Sequence, residues 1–209
     1  MKRIEPYLSA LQRAGNLDLN QAKIIAYYCV MTHSEKPKKR PILNICGESG
    51  TGKTGIQRQV LPWCNGSKWI NARNKTAAQI RDDLADVSTA VIEEVDKTLQ
   101  PRECENWIQQ RYDEGGICVT YKRPPAFTSE DHNHFGYTIV HTQNAFKCIE
   151  LDRRTIKIPI FKDSQRPYKL SDGLDGKVLA EIAQEVDWEK EIVQPVSNSA
   201  WDAWYTAPH

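Results

Sequence analysis

One short segment, Gly47–Thr54, limits what this chain can fold into more than any other. It reads Gly-Glu-Ser-Gly-Thr-Gly-Lys-Thr and matches the pattern G-x-x-x-x-G-K-[ST] in full. An apolar run, "PILNIC", precedes it and a helical pattern, "KTGIQRQVLPW", follows it. Glycines in such a turn let backbone N–H groups face an anion, and the following helix adds the partial positive charge of its N-terminus. The segment therefore predicts a phosphate-binding loop between a strand and a helix.

Apolar runs and amphipathic stretches alternate downstream of residue 41. The predicted strands are "PILNIC", "SKWINA", "STAVIEEVD", "GICVTYKR", "GYTIVHTQN" and "RRTIKIPIF". The predicted helices between them are "KTGIQRQVLPW", "TAAQIRDDLAD" and "PRECENWIQQRYDE". Such alternation predicts an α/β fold with a mostly parallel sheet flanked by helices. We divide the chain into an N-terminal helical segment with a basic linker (1–40), a P-loop core (41–165), and a C-terminal helix and tail (166–209).

The N-terminal segment contains two predicted helices, "IEPYLSALQRAG" and "DLNQAKIIAYYCVMTH". The second helix places Ile24, Ile25, Tyr28 and Cys29 on one face, so we expect this face to pack on the core. The basic stretch that follows, "SEKPKKRP", reads as a linker, and contact with a polyanion is the alternative.

The composition sets outer limits on function. The chain has 209 residues, which fits one globular domain, and 28 Lys and Arg against 27 Asp and Glu, so any basic footprint must be local. The six cysteines are scattered, form no C-x-x-C pair and follow no secretory signal, which predicts reduced thiols and a cytoplasmic location. No apolar run approaches the roughly 20 residues that span a bilayer, so we expect no membrane partner.

A second acidic motif, "TAVIEEVD", places Glu93 and Glu94 at the end of an apolar strand. In ATP-hydrolysing P-loop proteins, the loop lysine reaches the β- and γ-phosphates, and the loop hydroxyl and a strand acid hold Mg²⁺. Lys53, Thr54 and Glu93 would take these roles here, and Glu94 would orient the attacking water. The motif therefore predicts ATP and Mg²⁺ as ligands and favours hydrolysis. The alternative is that both acids lie on the surface and begin a helix.

The ordered set "GESGTGKT", "VIEEVD", "GICVTYKRPP", "TIVHTQN" and "LDRRTIKIPIF" resembles the superfamily 3 helicases, the AAA+ type motors of small DNA viruses, phages and mobile elements. The resemblance covers about residues 42–161. It departs from the family pattern at Glu48, where proline is frequent, and at Gln143, where serine is usual. No origin-binding or nicking domain precedes the motor, so site recognition stays open.

The resemblance implies further catalytic residues. It implies that Asn144 senses the γ-phosphate, whereas capping of the next turn is the alternative for this residue. It also implies that Arg154, with Arg153 as its near rival, acts as an arginine finger on a neighbouring subunit. Ordinary ion pairing is the alternative for both arginines.

A basic β-hairpin is the remaining feature that the resemblance implies. Lys122 and Arg123 would contact the nucleic-acid backbone and Tyr121 a base, and a solvated hairpin tip is the alternative. His132 and His134 in the adjacent "DHNHF" are interpreted as loop histidines and not as metal ligands.

These predictions combine into one expected function. We expect an ATP-hydrolysing ring motor that assembles as a hexamer. It would move on single-stranded nucleic acid, with DNA favoured over RNA, during replication of a phage or mobile element. The first alternative is a nonhelicase AAA+ ATPase that remodels or regulates a protein partner. The second is a P-loop small-molecule kinase.

Overall fold

The computed structural model describes residues 3–121, 129–162 and 173–186. The α-helices of these residues are α1 (Glu5–Ala14), α2 (Leu19–Met31), α3 (Lys53–Val60), α4 (Ala77–Leu84), α5 (Pro101–Gln110), α6 (Ile149–Arg153) and α7 (Lys177–Glu185). The strands are β1 (Ile42–Cys46), β2 (Ser67–Asn71), β3 (Thr89–Glu93), β4 (Ile117–Tyr121), β5 (Ser129–Asn133), β6 (Tyr137–Thr142) and β7 (Thr155–Pro159). Short 3₁₀ helices occupy Leu61–Trp63 and Val95–Lys97.

Five strands form the main sheet in the order β2-β3-β6-β1-β7, and every pairing within it is parallel. Ile42 at the start of β1 lies opposite Thr138 of β6 and Thr155 of β7. The carboxyl ends of these strands therefore meet at one edge of the sheet, where α/β proteins bind ligands. The prediction of an α/β fold with a mostly parallel sheet is confirmed.

Helices cover both faces of the main sheet. Strand β1 therefore buries apolar side chains on both of its sides. Leu43 and Ile45 belong to a buried cluster with residues of α1, α2, α3 and α7. Ile42 belongs to a second buried cluster with residues of α4, α5 and α6. Each buried apolar side chain of this size contributes about 1.5–3 kcal/mol, so the two clusters fix the helices on the sheet.

Helix α2 begins with a capping box, in which Gln21 N donates to Asp18 Oδ1 over 2.8 Å and Asp18 N donates to Gln21 Oε1 over 3.0 Å. Ile25, Tyr28 and Cys29 are buried as predicted. The prediction for Ile24 was wrong, because this side chain lies on the outer face of α2 and is 37% exposed.

Strands β4 and β5 pair antiparallel and form a separate two-stranded sheet, with Ile117 opposite Asn133. The apolar pattern of the sequence predicts β4 but not β5. The interpretation of His132 as a loop histidine was therefore wrong, because it lies within β5, whereas His134 does lie in the β5–β6 connection and is fully buried there. Residues 122–128 lie outside the described residues.

A fully buried arginine, Arg111, ties the connections between these elements together. Its Nε donates to Thr138 Oγ1 over 2.9 Å, and its Nη2 donates to the Val87 carbonyl over 2.7 Å. The guanidinium also donates to the carbonyl oxygens of Leu84, His134 and Tyr137. This residue cross-links the α4–β3 and β5–β6 connections to the end of α5.

Candidate functional site

The turn from β1 to α3 has a backbone that requires glycine at two points. Gly52, which directly precedes Lys53, has φ of 89°, a left-handed conformation that side-chain-bearing residues rarely adopt. At Gly47 the chain passes so close to β7 that a Cβ would lie 2.4 Å from the Ile160 carbonyl oxygen. The backbone of this turn therefore needs glycine at two of the positions where the sequence motif has it.

Lys53, the first residue of α3, lies inside this turn and is only 5% exposed. Its ammonium donates to the Gly47 carbonyl over 2.6 Å and to the Glu48 carbonyl over 2.5 Å. The Thr51 hydroxyl also donates to the Glu48 carbonyl, over 2.9 Å. Burial lowers the pKa of the Lys53 ammonium. Hydrogen bonds to the loop carbonyls thus hold the Lys53 ammonium beside the N-terminus of α3.

The loop lines a cavity of about 330 Å³ at the carboxyl edge of the sheet. Its other walls come from β6 and from residues that directly follow β3 and β6. The lining residues are Ser49, Gly50, Thr51, Gly52, Lys53, Thr54, Glu94, His141 and Gln143. Most of the predicted loop ligands therefore surround one space, together with the predicted water-activating acid.

Thr54 and Glu93 come together beside this cavity. The Thr54 hydroxyl, in the first turn of α3, donates to Glu93 Oε1, at the end of β3, over 2.9 Å. Mg²⁺ binds oxygen ligands and retains several waters and phosphate oxygens, so one hydroxyl and one carboxylate are a fitting protein donor set. Because the Thr54 hydroxyl donates its hydrogen bond to Glu93, the lone pairs of its oxygen remain available for a cation.

Glu94 directly follows β3 and adopts φ 55° and ψ 45°, a left-handed conformation that costs a non-glycine residue roughly 1–2 kcal/mol. Its Oε1 accepts from Lys97 Nζ over 2.5 Å, and its Oε2 lies 3.8 Å from Arg73 Nη1. The hydrogen bond from Lys97 holds the pKa of the Glu94 carboxyl below its ordinary value. Strained conformations of this kind cluster at functional sites.

Asn144, the predicted sensor, follows β6 at the same edge and is held by an acid that the sequence analysis did not single out. Its Nδ2 donates to Asp96 Oδ2 over 2.9 Å, and the backbone N–H groups of Gln143 and Asn144 donate to the same oxygen. Gln143, the departure from the family pattern, lines the loop cavity. Asp96 is the last residue of "VIEEVD", and no local pattern distinguishes it from a surface acid.

His141 of β6 is a second residue that the sequence analysis missed. It is buried, lines the loop cavity, and places Nδ1 2.8 Å from Gln57 Oε1. Gln57, fully buried in α3, donates through Nε2 to the Ile92 carbonyl over 3.0 Å. Burial, with Lys53 nearby, lowers the pKa of His141 to about 4. The imidazole is therefore neutral at pH 7.

The two predicted finger arginines lie at the opposite edge of the sheet from the loop. Arg154 directly precedes β7, which starts level with the start of β1, whereas the loop follows the end of β1. Arg154 Nη1 lies 3.4 Å from Asp113 Oδ2, and its guanidinium lies 4.8 Å from the Tyr112 ring centre. Arg153 is exposed. The structure does not bring either arginine to the loop of its own chain.

The predicted nucleic-acid residues are only partly described. Tyr121 is the last residue of β4, so it stands where the hairpin leaves its paired region. Lys122 and Arg123 lie outside the described residues.

Within residues 3–121, 129–162 and 173–186, no group of three or more His, Cys, Asp or Glu side chains is placed to hold a metal ion. None of the helices in these ranges has the length and apolar character to cross a membrane. Neither a protein family model nor a curated protein matches the chain.

Proposed function

We propose that this chain is a P-loop ATPase of the AAA+ type, similar to superfamily 3 helicases, that moves along or unwinds nucleic acid. The observation that carries the proposal is the 2.9 Å contact between Thr54 Oγ1 and Glu93 Oε1. It joins the last residue of the loop motif to the first acid of the strand motif, as a site for Mg²⁺ and ATP phosphates requires. Two sequence motifs predicted separately thus fit one ligand.

The residues around the cavity divide the chemistry of hydrolysis between them. Lys53 offers its ammonium to the β- and γ-phosphates, and the N–H groups of the loop and of the first turn of α3 face the same charge. Thr54 and Glu93 would hold Mg²⁺, which supplies charge neutralisation to the phosphates when bound. Glu94 accepts a hydrogen bond from the attacking water. An adjoining cavity of about 600 Å³, which also contains Thr51 and Gln143 in its walls, has room for the nucleoside.

The position of the arginines supports assembly into a ring, with a hexamer as the proposed state. Arg153 and Arg154 lie at the sheet edge opposite the loop, so an arginine that acts on ATP must act on that of another subunit. Head-to-tail contacts of this kind close into rings when the rotation between subunits permits. The antiparallel pair β4–β5 lies where the sequence resemblance implies a basic hairpin, which favours nucleic acid over a protein as the substrate of the motor.

The test is the rate of ATP hydrolysis with and without single-stranded DNA. We expect Mg²⁺-dependent hydrolysis that single-stranded DNA accelerates. Lys53→Ala should abolish ATP binding, and Glu94→Gln should bind ATP but turn over about 10²-fold more slowly. Hydrolysis that does not respond to DNA or RNA would favour a nonhelicase AAA+ ATPase. Phosphate transfer to a small acceptor in place of water would contradict the proposal and favour a kinase.

A further inference from the structure

We propose that His141 is a catalytic residue of this ATPase, whose Nε2 accepts a hydrogen bond from the attacking water alongside Glu94. Gln57 is the positioning residue that orients the imidazole. The inference rests on the proposed function, because it assigns a role within the same ATP site. It adds a neutral acceptor that neither the loop motif nor the acidic motif contains.

The hydrogen bonds of Gln57 fix which nitrogen of His141 carries the proton. Gln57 Nε2 lies 3.0 Å from the Ile92 carbonyl oxygen and 3.5 Å from that of Ile139. Carbonyl oxygens only accept, so the amide nitrogen must face them and Gln57 Oε1 must face His141. His141 Nδ1, 2.8 Å from that oxygen, must therefore be the donor. The neutral ring then keeps an unprotonated Nε2.

That nitrogen is the one left for a ligand in the cavity. Among the described residues, His141 Nε2 has no hydrogen-bond partner, and the side chain lines the loop cavity with Lys53 and Glu94. An unprotonated nitrogen cannot donate to a phosphate oxygen, but it can accept from a water molecule beside the γ-phosphate. Because burial and Lys53 lower the pKa of His141 to about 4, the ring stays an acceptor at neutral pH.

Glu94 alone is a weak acceptor in this arrangement. Its Oε1 accepts from Lys97 over 2.5 Å, and its Oε2 faces Arg73 at 3.8 Å, so two cations draw on the carboxylate. A water that must be aligned on the γ-phosphorus has two hydrogens, and each needs an acceptor. His141 supplies the second acceptor from β6, the strand that pairs with β3 in the sheet.

Hydrolysis in this arrangement conserves every atom and charge. The water oxygen forms a bond to the γ-phosphorus while the bond from that phosphorus to the β–γ bridging oxygen breaks. ADP leaves with the electron pair on its terminal oxygen. One water proton passes to the Glu94 carboxylate and from there to solvent, and the other, held by His141 Nε2 during the attack, remains on the inorganic phosphate.

Two substitutions at His141 test the assignment. Asparagine places its amide near the position of Nδ1, so His141→Asn keeps a donor to Gln57 and loses the acceptor at Nε2. Glutamine reaches the position of Nε2, so His141→Gln restores an acceptor there. For the full chain, we expect His141→Asn to lower kcat by about 10²-fold and to leave the Kd for a non-hydrolysable ATP analogue within about twofold. We expect His141→Gln to recover at least about tenfold of that loss.

The matched control is His33→Asn, because the ring of His33 also makes one hydrogen bond, from Nε2 to the Trp63 carbonyl over 2.8 Å, and lies in the segment after α2. It should leave kcat unchanged. Wild-type kcat in His141→Asn, or equal losses in the Asn and Gln variants, would overturn the role of Nε2. A wild-type chain without Lys53-dependent ATP hydrolysis would instead remove the proposed function and this inference with it.

Discussion

Thr54 and Glu93 lie within hydrogen-bond distance, 2.9 Å, although they belong to α3 and β3 and reach the site from different directions. The contact brings the Thr54 hydroxyl oxygen and a Glu93 carboxylate oxygen side by side. The contact depends on the parallel register that ends β1 and β3 at one edge of the sheet, since the loop leaves β1 and Glu93 ends β3.

Removing the Thr54 hydroxyl should therefore weaken the proposed Mg²⁺ site without changing the fold. Thr54→Val keeps the volume of the side chain and loses the oxygen. We expect the Mg²⁺ concentration for half-maximal ATPase activity to rise by about 10- to 100-fold. Thr155→Val serves as the control at the opposite edge of the sheet, where the Thr155 hydroxyl donates to the Leu151 carbonyl over 2.7 Å. An unchanged Mg²⁺ requirement in Thr54→Val would remove Thr54 from the metal site.

The arginines should act on another subunit. Arg154→Ala should bind ATP but hydrolyse it on the order of 10³-fold more slowly, since an arginine finger stabilises transition-state charge. Mixed with Lys53→Ala, which keeps its arginine, it should regain part of the wild-type rate. Arg153→Ala, tested in parallel, identifies which arginine acts. Verified mixed rings without activity would contradict action between subunits.

The hairpin tip should contact the nucleic-acid backbone. We expect Lys122→Ala with Arg123→Ala to weaken binding of single-stranded DNA and to reduce the slope of log K against log salt by about 0.7 for each phosphate that the variant no longer neutralises. ATP hydrolysis without DNA should persist. A double variant that removes the same charge elsewhere, Arg102→Ala with Lys177→Ala, serves as the control. DNA affinity equal to that of the wild type would exclude a role for the hairpin in binding.

Arg111 should be the most sensitive charged residue for stability. Arg111→Lys keeps the charge but cannot reach all the carbonyl oxygens that the guanidinium serves, and each unpaired buried group costs about 1–3 kcal/mol. Gly136→Ala should act through the same residue, because a Cβ there would lie 2.2 Å from Arg111 Nη2. Arg102→Lys, on the exposed side of α5, should change the free energy of unfolding by less than about 0.5 kcal/mol. Urea unfolding measures all three.

Buried His134 should make the fold sensitive to mild acid. Its Nε2 donates to the Trp107 carbonyl over 2.9 Å, and its buried Nδ1 has no hydrogen-bond partner among the described residues. Burial, with Arg111 nearby, lowers the pKa of His134 from 6.5 to about 4. Between these values the unfolded chain binds a proton that the folded chain does not. Stability therefore falls as the pH drops through this window, by at most about 1.4 kcal/mol per pH unit for each such histidine.

His134→Gln isolates this contribution, because a glutamine amide can still donate to the Trp107 carbonyl but does not titrate. The free energy of unfolding of the variant should depend less steeply on pH between 6.5 and 4. Equal slopes in both proteins would show that His134 does not set the acid sensitivity.

Local sequence patterns predicted the strands whose side chains are buried on both faces of the sheet. They missed β5 and α6, which no apolar pattern in the sequence marks. β5 reads "SEDHN", a polar stretch that pairs with β4 but has no apolar alternation. α6 has five residues, too few to show a helical period. It includes Arg153, the first residue of the predicted strand "RRTIKIPIF", so β7 begins only at Thr155.

The residues of the candidate site also fall into those that the sequence predicts and those that only the tertiary structure shows. Lys53 and Thr54 follow from a contiguous motif, and Glu93 from the end of an apolar run. Gln57 and His141 are 84 residues apart in the sequence and meet only because α3 packs on β3 and β6. Such contacts depend on the tertiary fold, so no window of the sequence contains them.

The hydroxyl of Tyr28, in α2, lies 2.7 Å from the Pro41 carbonyl oxygen and 2.9 Å from that of Thr138, and it accepts from Thr138 N. A shortened chain that starts at Pro41 would lose this side chain and uncover the sheet face that α1 and α2 protect. We expect such a truncation to aggregate during expression. A shortened chain for biochemical work should therefore retain both α1 and α2.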